Sequence, residues 1–378
     1  MFKRILDFCK KEIILTIALL LAVGSVFFVH PDKEYLGYID LRTLAILFCL
    51  MAVMAGLQKI GFFDYIAEAL LGKVKNIRWL MMFLVMLCFF SSMLITNDVA
   101  LITFVPFTFI VLEMILKENA EKLLVPIVVF QTVAANLGSM LTPIGNPQNL
   151  YLYGISDLTL LDFIKIVLPY GVISFLILTC LCLLYPYKGE KSIAFKLEQK
   201  TSLKEHKTKI IIYSILFFIS VLTVAHIIPY GYALLIVFIT VFFLDKKALL
   251  KVEYNLLLTF VGFFVFIGNM GRVPAFNRWL QEIIEGNEVA VSIAASQFMS
   301  NVPAALLLSG FTEKYVLLII GTNLGGLGTM IASMASLISF KYIGRDYKHL
   351  RGRYLLYFTG INVLFLVVLC GYVWAFGT

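Results

Sequence analysis

Charged residues are scarce in this 378-residue sequence. Asp, Glu, Lys and Arg together make up 14% of it, whereas soluble domains contain about 25%. Hydrophobic residues make up 61%, and the mean hydropathy is +0.94. This composition excludes a soluble globular protein. Several uncharged runs reach the roughly 18–25 residues that a helix needs to cross a bilayer, so we predict an all-α polytopic membrane protein.

Catalytic and metal-binding patterns are missing as well. The sequence contains no HExxH, GxSxG or Walker A motif, and its four histidines and six cysteines do not cluster. Five of the cysteines lie in apolar segments, where thiols usually pack as small hydrophobic groups. We therefore predict that the protein is not an enzyme and has no cofactor, no metal cluster and no disulfide.

Basic residues concentrate in loops on one side of the predicted topology. Of the 31 lysines and arginines, 25 fall in those loops and six in the others. The excess of positive charge on cytoplasmic loops predicts a cytoplasmic N-terminus and an outside C-terminus in a multi-pass protein of the plasma membrane. The net charge of +8 thus reflects orientation in a lipid bilayer and does not indicate a nucleic-acid partner.

Hydropathy predicts nine crossing helices and two re-entrant hairpins. The hairpins are residues 79–116 and 289–311, and backbone that reverses at that depth must be buried in protein or line water. The crossing helices are predicted at residues 12–30, 40–58, 123–150, 160–185, 209–228, 230–245, 253–271, 314–341 and 353–376.

The two halves of the sequence resemble each other. The segments Asn136–Ile144 and Asn323–Ile331 share five of nine residues without a gap. The segment that starts at Ile39 recurs at Val252, five crossings later, so the second copy enters the membrane from the opposite side. We predict an inverted repeat of residues 1–186 and 230–378, joined by a cytoplasmic linker and a connecting helix at 187–229.

Polar residues lie where each hairpin reverses. Thr96-Asn97-Asp98 interrupts the first hairpin, and Ser300-Asn301 interrupts the second. A carboxylate at the depth of Asp98 costs several kcal/mol unless it is paired or solvated, so it marks a functional site. Such polar residues also serve as contacts between helices, but their recurrence in both halves favours a site.

Each helix after a hairpin is broken by proline or glycine. Pro143 and Pro147 interrupt the first, and the glycine-rich stretch 325–328 interrupts the second. A broken helix exposes carbonyl groups that suit sodium and amide groups that suit an anion. The sequence therefore predicts one polar chamber in which the four interruptions meet.

The hairpin motifs and the two broken-helix motifs resemble those of the ion transporter superfamily. That group includes divalent anion:sodium symporters, citrate transporters, arsenite permeases and some sodium/proton antiporters, and the resemblance covers nearly the whole chain. In the dicarboxylate branch, Ser-Asn-Thr motifs at both tips bind sodium and the substrate carboxylates. Here the third positions are Asp98 and Val302, so these substrate contacts do not carry over. The resemblance implies a homodimer with an elevator-type mechanism.

We therefore expect a secondary active transporter that couples sodium or a proton to a small anion of the citrate or dicarboxylate kind. The alternatives are a sodium/proton antiporter centred on Asp98 and an arsenite or antimonite exporter. The predicted substrate-binding residues are Thr96, Asn97, Asp98, Asn146, Ser300, Asn301 and Thr329. The predicted sodium ligands are Thr96, Asn97, Gly138, Gly145, Ser300, Asn301 and Gly325.

Overall fold

A computed structural model describes residues 12–71, 74, 76–116, 120–186 and 203–376. All regular structure in these residues is helical, with three short 3-10 turns at Pro143–Gly145, Lys204–His206 and Lys348–Leu350. The α-helices are α1 (Ile13–Ser25), α2 (Tyr35–Tyr38), α3 (Leu41–Lys59), α4 (Phe62–Leu71), α5 (Ile77–Ile95), α6 (Asn97–Leu116), α7 (Ala120–Ser139), α8 (Pro147–Ile155), α9 (Leu160–Leu184), α10 (Lys207–Val224), α11 (Tyr230–Leu244), α12 (Lys246–Leu249), α13 (Tyr254–Gly271), α14 (Pro274–Ile284), α15 (Glu288–Met299), α16 (Asn301–Ser309), α17 (Tyr315–Gly325), α18 (Met334–Asp346) and α19 (Arg351–Phe376).

Eight helices of the described chain are long and apolar enough to cross a membrane. They are α3, α5, α6, α7, α9, α10, α13 and α19. This confirms the predicted all-α polytopic membrane protein. The basic N-terminal segment 1–11 and the linker residues 187–202, which entered the orientation prediction, lie outside the described residues.

Two predicted crossing helices are each divided in two. The span predicted at 123–150 consists of α7, a 3-10 turn and α8, and the span predicted at 314–341 consists of α17 and α18. The arms of the first predicted hairpin, α5 and α6, contain 19 and 20 residues and are each long enough to cross by length. The re-entrant geometry of this segment stays a prediction.

Burial separates a central helix from a peripheral set. In α7, 94% of the apolar window is buried, whereas the values for α9, α10 and α19 are 33%, 28% and 22%. Large apolar side chains such as Leu176, Phe218 and Leu356 are exposed on these peripheral helices. Because contiguous apolar surface is costly in water, this outer surface faces lipid.

Helix packing follows the same pattern in both halves. The helices α5 and α6 pack against α7, and α15 and α16 pack against α17. The arm α6 also contacts α18, and the arm α16 contacts α8, so each second arm touches a half-helix of the other half. The boundaries and opposite orientations of the two units stay predictions.

The first helix of each half packs on the other half. Helix α1 packs along α13, where Ala18 lies against Gly262 and Asn269 Nδ2 donates to Ser25 Oγ at 2.8 Å. Helix α11 packs along α3 in the same way. These two helix contacts hold the two halves of the protein together.

Ion pairs at helix ends connect segments that were predicted to share one face of the membrane. Lys59 Nζ lies 2.6 Å from the Asp245 carboxylate, which joins the end of α3 to the end of α11. A second pair joins the end of α13 to the segment between α1 and α2, where Arg272 lies 2.7 Å from Asp32. The pairs agree with the predicted grouping of loops, and the absolute orientation stays a prediction.

Asp245→Asn is expected to destabilise the protein by about 1–2 kcal/mol at neutral pH. Partial burial opposes the ionised form, but the hydrogen bond and charge of Lys59 hold the Asp245 pKa below its usual value. A lowered pKa contributes stability above the unfolded pKa of about 4, and this stability is lost as the pH falls through the folded pKa. Thermal unfolding in detergent should therefore show a lower Tm for the variant at pH 7.

The matched control is Lys59→Met combined with Asp245→Asn. If the ion pair is the cause, the double variant should be no less stable than Asp245→Asn alone, because both charges are then gone. A Tm deficit that persists unchanged as the pH falls through the folded pKa of Asp245 would contradict the assignment, since the wild type loses the ion pair over that range.

Candidate functional site

The residues at the two predicted hairpin tips have the same unusual backbone conformation. Thr96 separates α5 from α6 with φ 70° and ψ 154°, and Ser300 separates α15 from α16 with φ 75° and ψ 156°. Positive φ is uncommon for residues other than glycine and is costly for a β-branched residue such as threonine. Asn97 and Asn301 follow directly and begin helices, so backbone N–H groups that have no partner within their own helix lie at both tips.

A hydrogen-bond network joins the two tips. Asn97 Nδ2 donates to Asn136 Oδ1 at 3.0 Å, and the Ser333 hydroxyl donates to the same oxygen at 2.9 Å. The neighbouring Ala332 carbonyl accepts the Asn301 backbone N–H at 3.0 Å and lies 3.4 Å from Ser300 Oγ. The structure therefore brings Asn97, Ser300 and Asn301 into one network.

Two asparagines make equivalent contacts across the halves. Asn136 in α7 lies 3.5 Å from Ser336 in α18. Asn323, its counterpart in α17, donates from Nδ2 to Asn149 Oδ1 in α8 at 2.6 Å. Asn149 and Ser336 are separated along the chain by the same number of residues as Asn136 and Asn323. Each half thus binds the other through the same pair of positions.

Glycine allows each broken helix to approach its hairpin closely. A Cβ atom at Gly138 would lie 2.1 Å from the Phe89 carbonyl oxygen, and one at Gly325 would lie 2.5 Å from Ser296 Oγ. Real Cβ atoms do not approach other atoms so closely, so only glycine fits without a shift of the helices. At Gly145, a Cβ atom would lie 2.1 Å from the Ser139 carbonyl oxygen within the first break.

Thr329 is engaged in a contact between helices. Its hydroxyl donates to the Gln297 carbonyl at 3.1 Å, and its backbone N–H donates to Gln297 Oε1 at 2.8 Å. Thr142, its counterpart in the first half, donates its hydroxyl to the Met93 carbonyl in the same manner. The structure leaves Thr329 exposed and places it outside the network of the two tips.

A cavity of about 270 Å³ lies beside the first tip. Three of the predicted site residues line it, namely Thr96, Asp98 and Asn146. Helix α3 contributes the polar Gln58 and five apolar residues to the lining, namely Leu47, Leu50, Met51, Met54 and Ala55. Asn146 donates its Nδ2 to Ser139 Oγ at 2.6 Å, which leaves its carbonyl oxygen as the group that can face the cavity.

Asp98 has an unsatisfied carboxylate. Its Oδ1 atom is shielded from solvent and has no hydrogen-bond partner among the described residues. Its backbone N–H donates to Asn97 Oδ1 at 2.9 Å, and Asn97 is not among the residues that line the cavity. A buried carboxylate oxygen without a partner is costly and is a natural ligand for a cation or a proton.

Two charged residues that line the cavity were not predicted as site residues from the sequence. Lys251 and Glu253 line it from the segment before α13. Their position in a loop near the membrane surface resembled that of ordinary solvated charges. The sequence did contain one signal for Glu253: it occupies the position in the second copy of the repeat at which the first copy has the acidic residue Asp40.

Buried amides without partners lie at the start of α8. Gln148 is fully buried, and both of its side-chain polar atoms lack a hydrogen-bond partner in the described chain. The same holds for Asn149 Nδ2 and Asn323 Oδ1. Buried polar atoms are normally satisfied, so these donors and acceptors are free for water or a ligand.

Clusters of three or more His, Cys, Asp or Glu side chains able to hold a metal are absent from the described residues. A cation at this site would therefore rely on one or two carboxylates together with hydroxyl, amide and backbone oxygens. Such oxygen donors favour hard cations over transition metals.

An all-helical membrane protein in which broken helices meet around buried amides has the architecture of a membrane transporter. The family model described as citrate transporter (CitMHS) matches residues 8–314 of the sequence. The chain belongs to this citrate transporter family.

Relatives with similar sequences agree with this assignment. The chain is 33% identical over 344 residues to "Uncharacterized transporter MJ0456" of Methanocaldococcus jannaschii, covering 90% of this chain and 91% of the relative. It is 31% identical over 360 residues to "Inner membrane protein YbiR" of Escherichia coli, covering 94% and 93%. A shorter match, 33% over 154 residues, covers 40% of this chain and 30% of the "Silicon efflux transporter LSI3" of Oryza sativa.

Proposed function

We propose that this protein is a secondary active transporter that couples sodium or a proton to the movement of a small anion of the citrate or dicarboxylate class. The observation that carries the proposal is the network from Asn97 through Asn136 to Ser333, with Ser300 and Asn301 bound to the adjacent residue. This network lies next to a cavity of about 270 Å³, a size that suits a small ligand.

Helix ends supply the attraction for an anion. Both α6 and α16 begin at the tips, so their N-terminal N–H groups and positive dipole ends point toward the network. Lys251 is the one basic residue among the described residues that line the cavity. Binding of an anionic substrate therefore depends on backbone amides and on the charge of a bound cation. This dependence would couple transport of the anion to transport of the cation.

The coupling ion is proposed to bind at the tips and the helix breaks. The side chains of Thr96, Asn97, Ser300 and Asn301 and the backbone of Gly138, Gly145 and Gly325 are the candidate ligands. The Gly325 carbonyl already accepts a hydrogen bond from Gln297 Nε2 at 3.0 Å, and its second lone pair is available to an ion. Alternating access would expose this chamber to one face at a time, by an elevator-type movement within a homodimer.

A second candidate function is the export of a small neutral hydroxide such as arsenite. The free donors and acceptors of Gln148, Asn149 and Asn323 would suit a molecule that carries several hydroxyl groups. The similarity to a relative named as a silicon efflux transporter favours this alternative.

Transport by purified protein in lipid vesicles separates the two functions. Uptake of labelled citrate or a dicarboxylate that requires a sodium or proton gradient would support the first proposal. Movement of arsenite without citrate uptake would support the second and overturn the first. Proton movement on addition of sodium, without any anion, would instead favour a sodium/proton antiporter.

We also propose that the protein resides in the plasma membrane with a cytoplasmic N-terminus and an outside C-terminus. The ion pairs Lys59–Asp245 and Arg272–Asp32 support the grouping of loops on two faces. Labelling of single cysteines by an impermeant maleimide in intact cells tests the orientation. Lys33→Cys should react and Lys247→Cys should not.

A further inference from the structure

We propose that Asp98 and Glu253 together form a binding site for one monovalent hard cation, such as sodium, in the cavity beside the first hairpin tip. This inference rests on the proposed function and deepens it, because it names a ligand of the coupling ion outside the tips. Asp98 belongs to α6, whereas Glu253 directly precedes α13, so the cation would bridge two separate elements.

Asp98 contributes an oxygen that the protein leaves unpaired. Asp98 lines the cavity, and its Oδ1 atom is shielded from solvent without a hydrogen-bond partner in the part of the chain that the structure describes. Glu253 is an exposed residue that lines the same cavity. Two carboxylates that share an apolar cavity repel each other, and a cation between them removes this cost.

Comparison with the first half explains why Glu253 is free. Asp40 occupies the corresponding position before α3, where its carboxylate accepts the backbone N–H groups of Arg42 and Thr43 at 3.0 Å. Glu253 precedes α13 but makes no such capping bond to the described residues. Asp is a preferred N-cap and the longer Glu is not, so Glu at this position leaves the carboxylate without a capping role.

Neutral oxygens complete the ligand set. The Thr96 hydroxyl and the Asn146 side chain line the cavity next to Asp98. Gln58 from α3 lines it as well and offers an amide oxygen. Carboxylate, hydroxyl and amide oxygens are the donors that hard cations prefer.

The charges at the cavity select a monovalent ion. Asp98 and Glu253 bring two negative charges and Lys251 brings one positive charge, which leaves one net negative charge in the lining. Glu12 also acts electrostatically on Glu253 from outside the lining. Within the described residues, no third acidic, His or Cys side chain joins the pair to make a site for a multivalent metal.

The site exists at one end of the molecule only. The residue that corresponds to Asp98 in the second half is Val302, which is buried and apolar, and the residue that corresponds to Glu253 is the capping Asp40. The repeat therefore carries the acidic pair on the side of Lys251, the face predicted to be cytoplasmic. We infer one such cation per protomer.

The test is thermal unfolding of the purified full-length protein, titrated with sodium chloride against choline chloride at constant ionic strength. Sodium is expected to stabilise the wild type saturably, because a ligand of the folded state raises the Tm. Asp98→Asn and Glu253→Gln are each expected to raise the sodium concentration at half-maximal shift about tenfold or more. Glu253→Asp retains a carboxylate and should lie between Glu253→Gln and the wild type.

Glu12→Gln is the matched control, because Glu12 is an acidic neighbour of Glu253 that does not line the cavity. Its sodium midpoint is expected to stay within about twofold of the wild type. A wild type without sodium-specific stabilisation would overturn the inference, and so would a wild-type midpoint in Glu253→Gln. If Glu253→Gln does not fold, a wild-type midpoint in Glu253→Asp together with one in Asp98→Asn overturns it.

The outcomes also separate this site from the proposed substrate. A sodium shift that is lost in Glu253→Gln, combined with vesicles that take up no anion, would support the cation site and contradict the anion. Sodium-driven anion uptake with a wild-type midpoint in Glu253→Gln would support the transporter and contradict the site.

Discussion

Replacing Asn136 with alanine is expected to reduce transport to background, although the protein still inserts into the membrane. Asn136 Oδ1 accepts hydrogen bonds from Asn97 Nδ2 and the Ser333 hydroxyl, and the residue is 5% exposed. Its loss leaves two buried polar groups without a partner, at a cost of about 1–3 kcal/mol each. The direct connection between the first tip and α18 is lost with it, so the two halves of the site no longer hold their relative positions.

Transport into vesicles, normalised to the amount of folded protein, measures the effect. Asn362→Ala is the matched control, because Asn362 is equally buried but donates only to the Phe358 carbonyl within α19 among the described residues. We expect this control to retain most of the transport activity. Near wild-type transport by Asn136→Ala would show that the network is a packing feature.

Gly138→Ala is expected to give the largest loss of stability. A Cβ atom at this position would lie 2.1 Å from the Phe89 carbonyl oxygen and 2.7 Å from Ser92 Oγ. The Phe89 oxygen belongs to the backbone of α5 and cannot rotate away, so α5 and α7 must separate. Overpacking of this kind costs about 1–3 kcal/mol and more when backbone must move. The variant should show a lower Tm and a lower yield of monodisperse protein.

Gly360→Ala is the matched control, because the same substitution is expected to increase stability at this position. A Cβ atom at Gly360 in α19 would meet no atom of the described chain within 4 Å. Alanine at such a helical position favours folding by about 0.5–1 kcal/mol relative to glycine. If Gly138→Ala were as stable as Gly360→Ala, the close approach of α5 and α7 would not be a feature of the folded protein.

The positions of the breaks could be predicted from sequence. Polar residues flanked by long apolar runs identified Thr96 and Ser300, and Pro143 and Pro147 identified the end of α7. These signals are local but not sufficient, because Pro106, Pro126 and Pro169 lie inside the continuous helices α6, α7 and α9. The recurrence of the same features in both halves was also visible without coordinates.

The contacts between the halves could not be predicted in the same way. Nothing in the spacing indicates that Asn136 binds Ser333 or that Asn323 binds Asn149, because both pairs depend on how distant helices pack. Thr329 was predicted to bind substrate from its place in the repeat, and the structure shows its hydroxyl engaged with the Gln297 carbonyl. Glu253 lies in a loop, and only the structure shows that it lines the same cavity as Asp98.

The packing of α1 along α13 has a consequence for biosynthesis. Helix α1 emerges from the ribosome more than two hundred residues before its partner. The contacts of Ala18 with Gly262 and of Ser25 with Asn269 cannot form until Gly262 and Asn269 have been translated. These contacts therefore form late in synthesis, and nascent chains released before α13 should be preferred targets of membrane proteases.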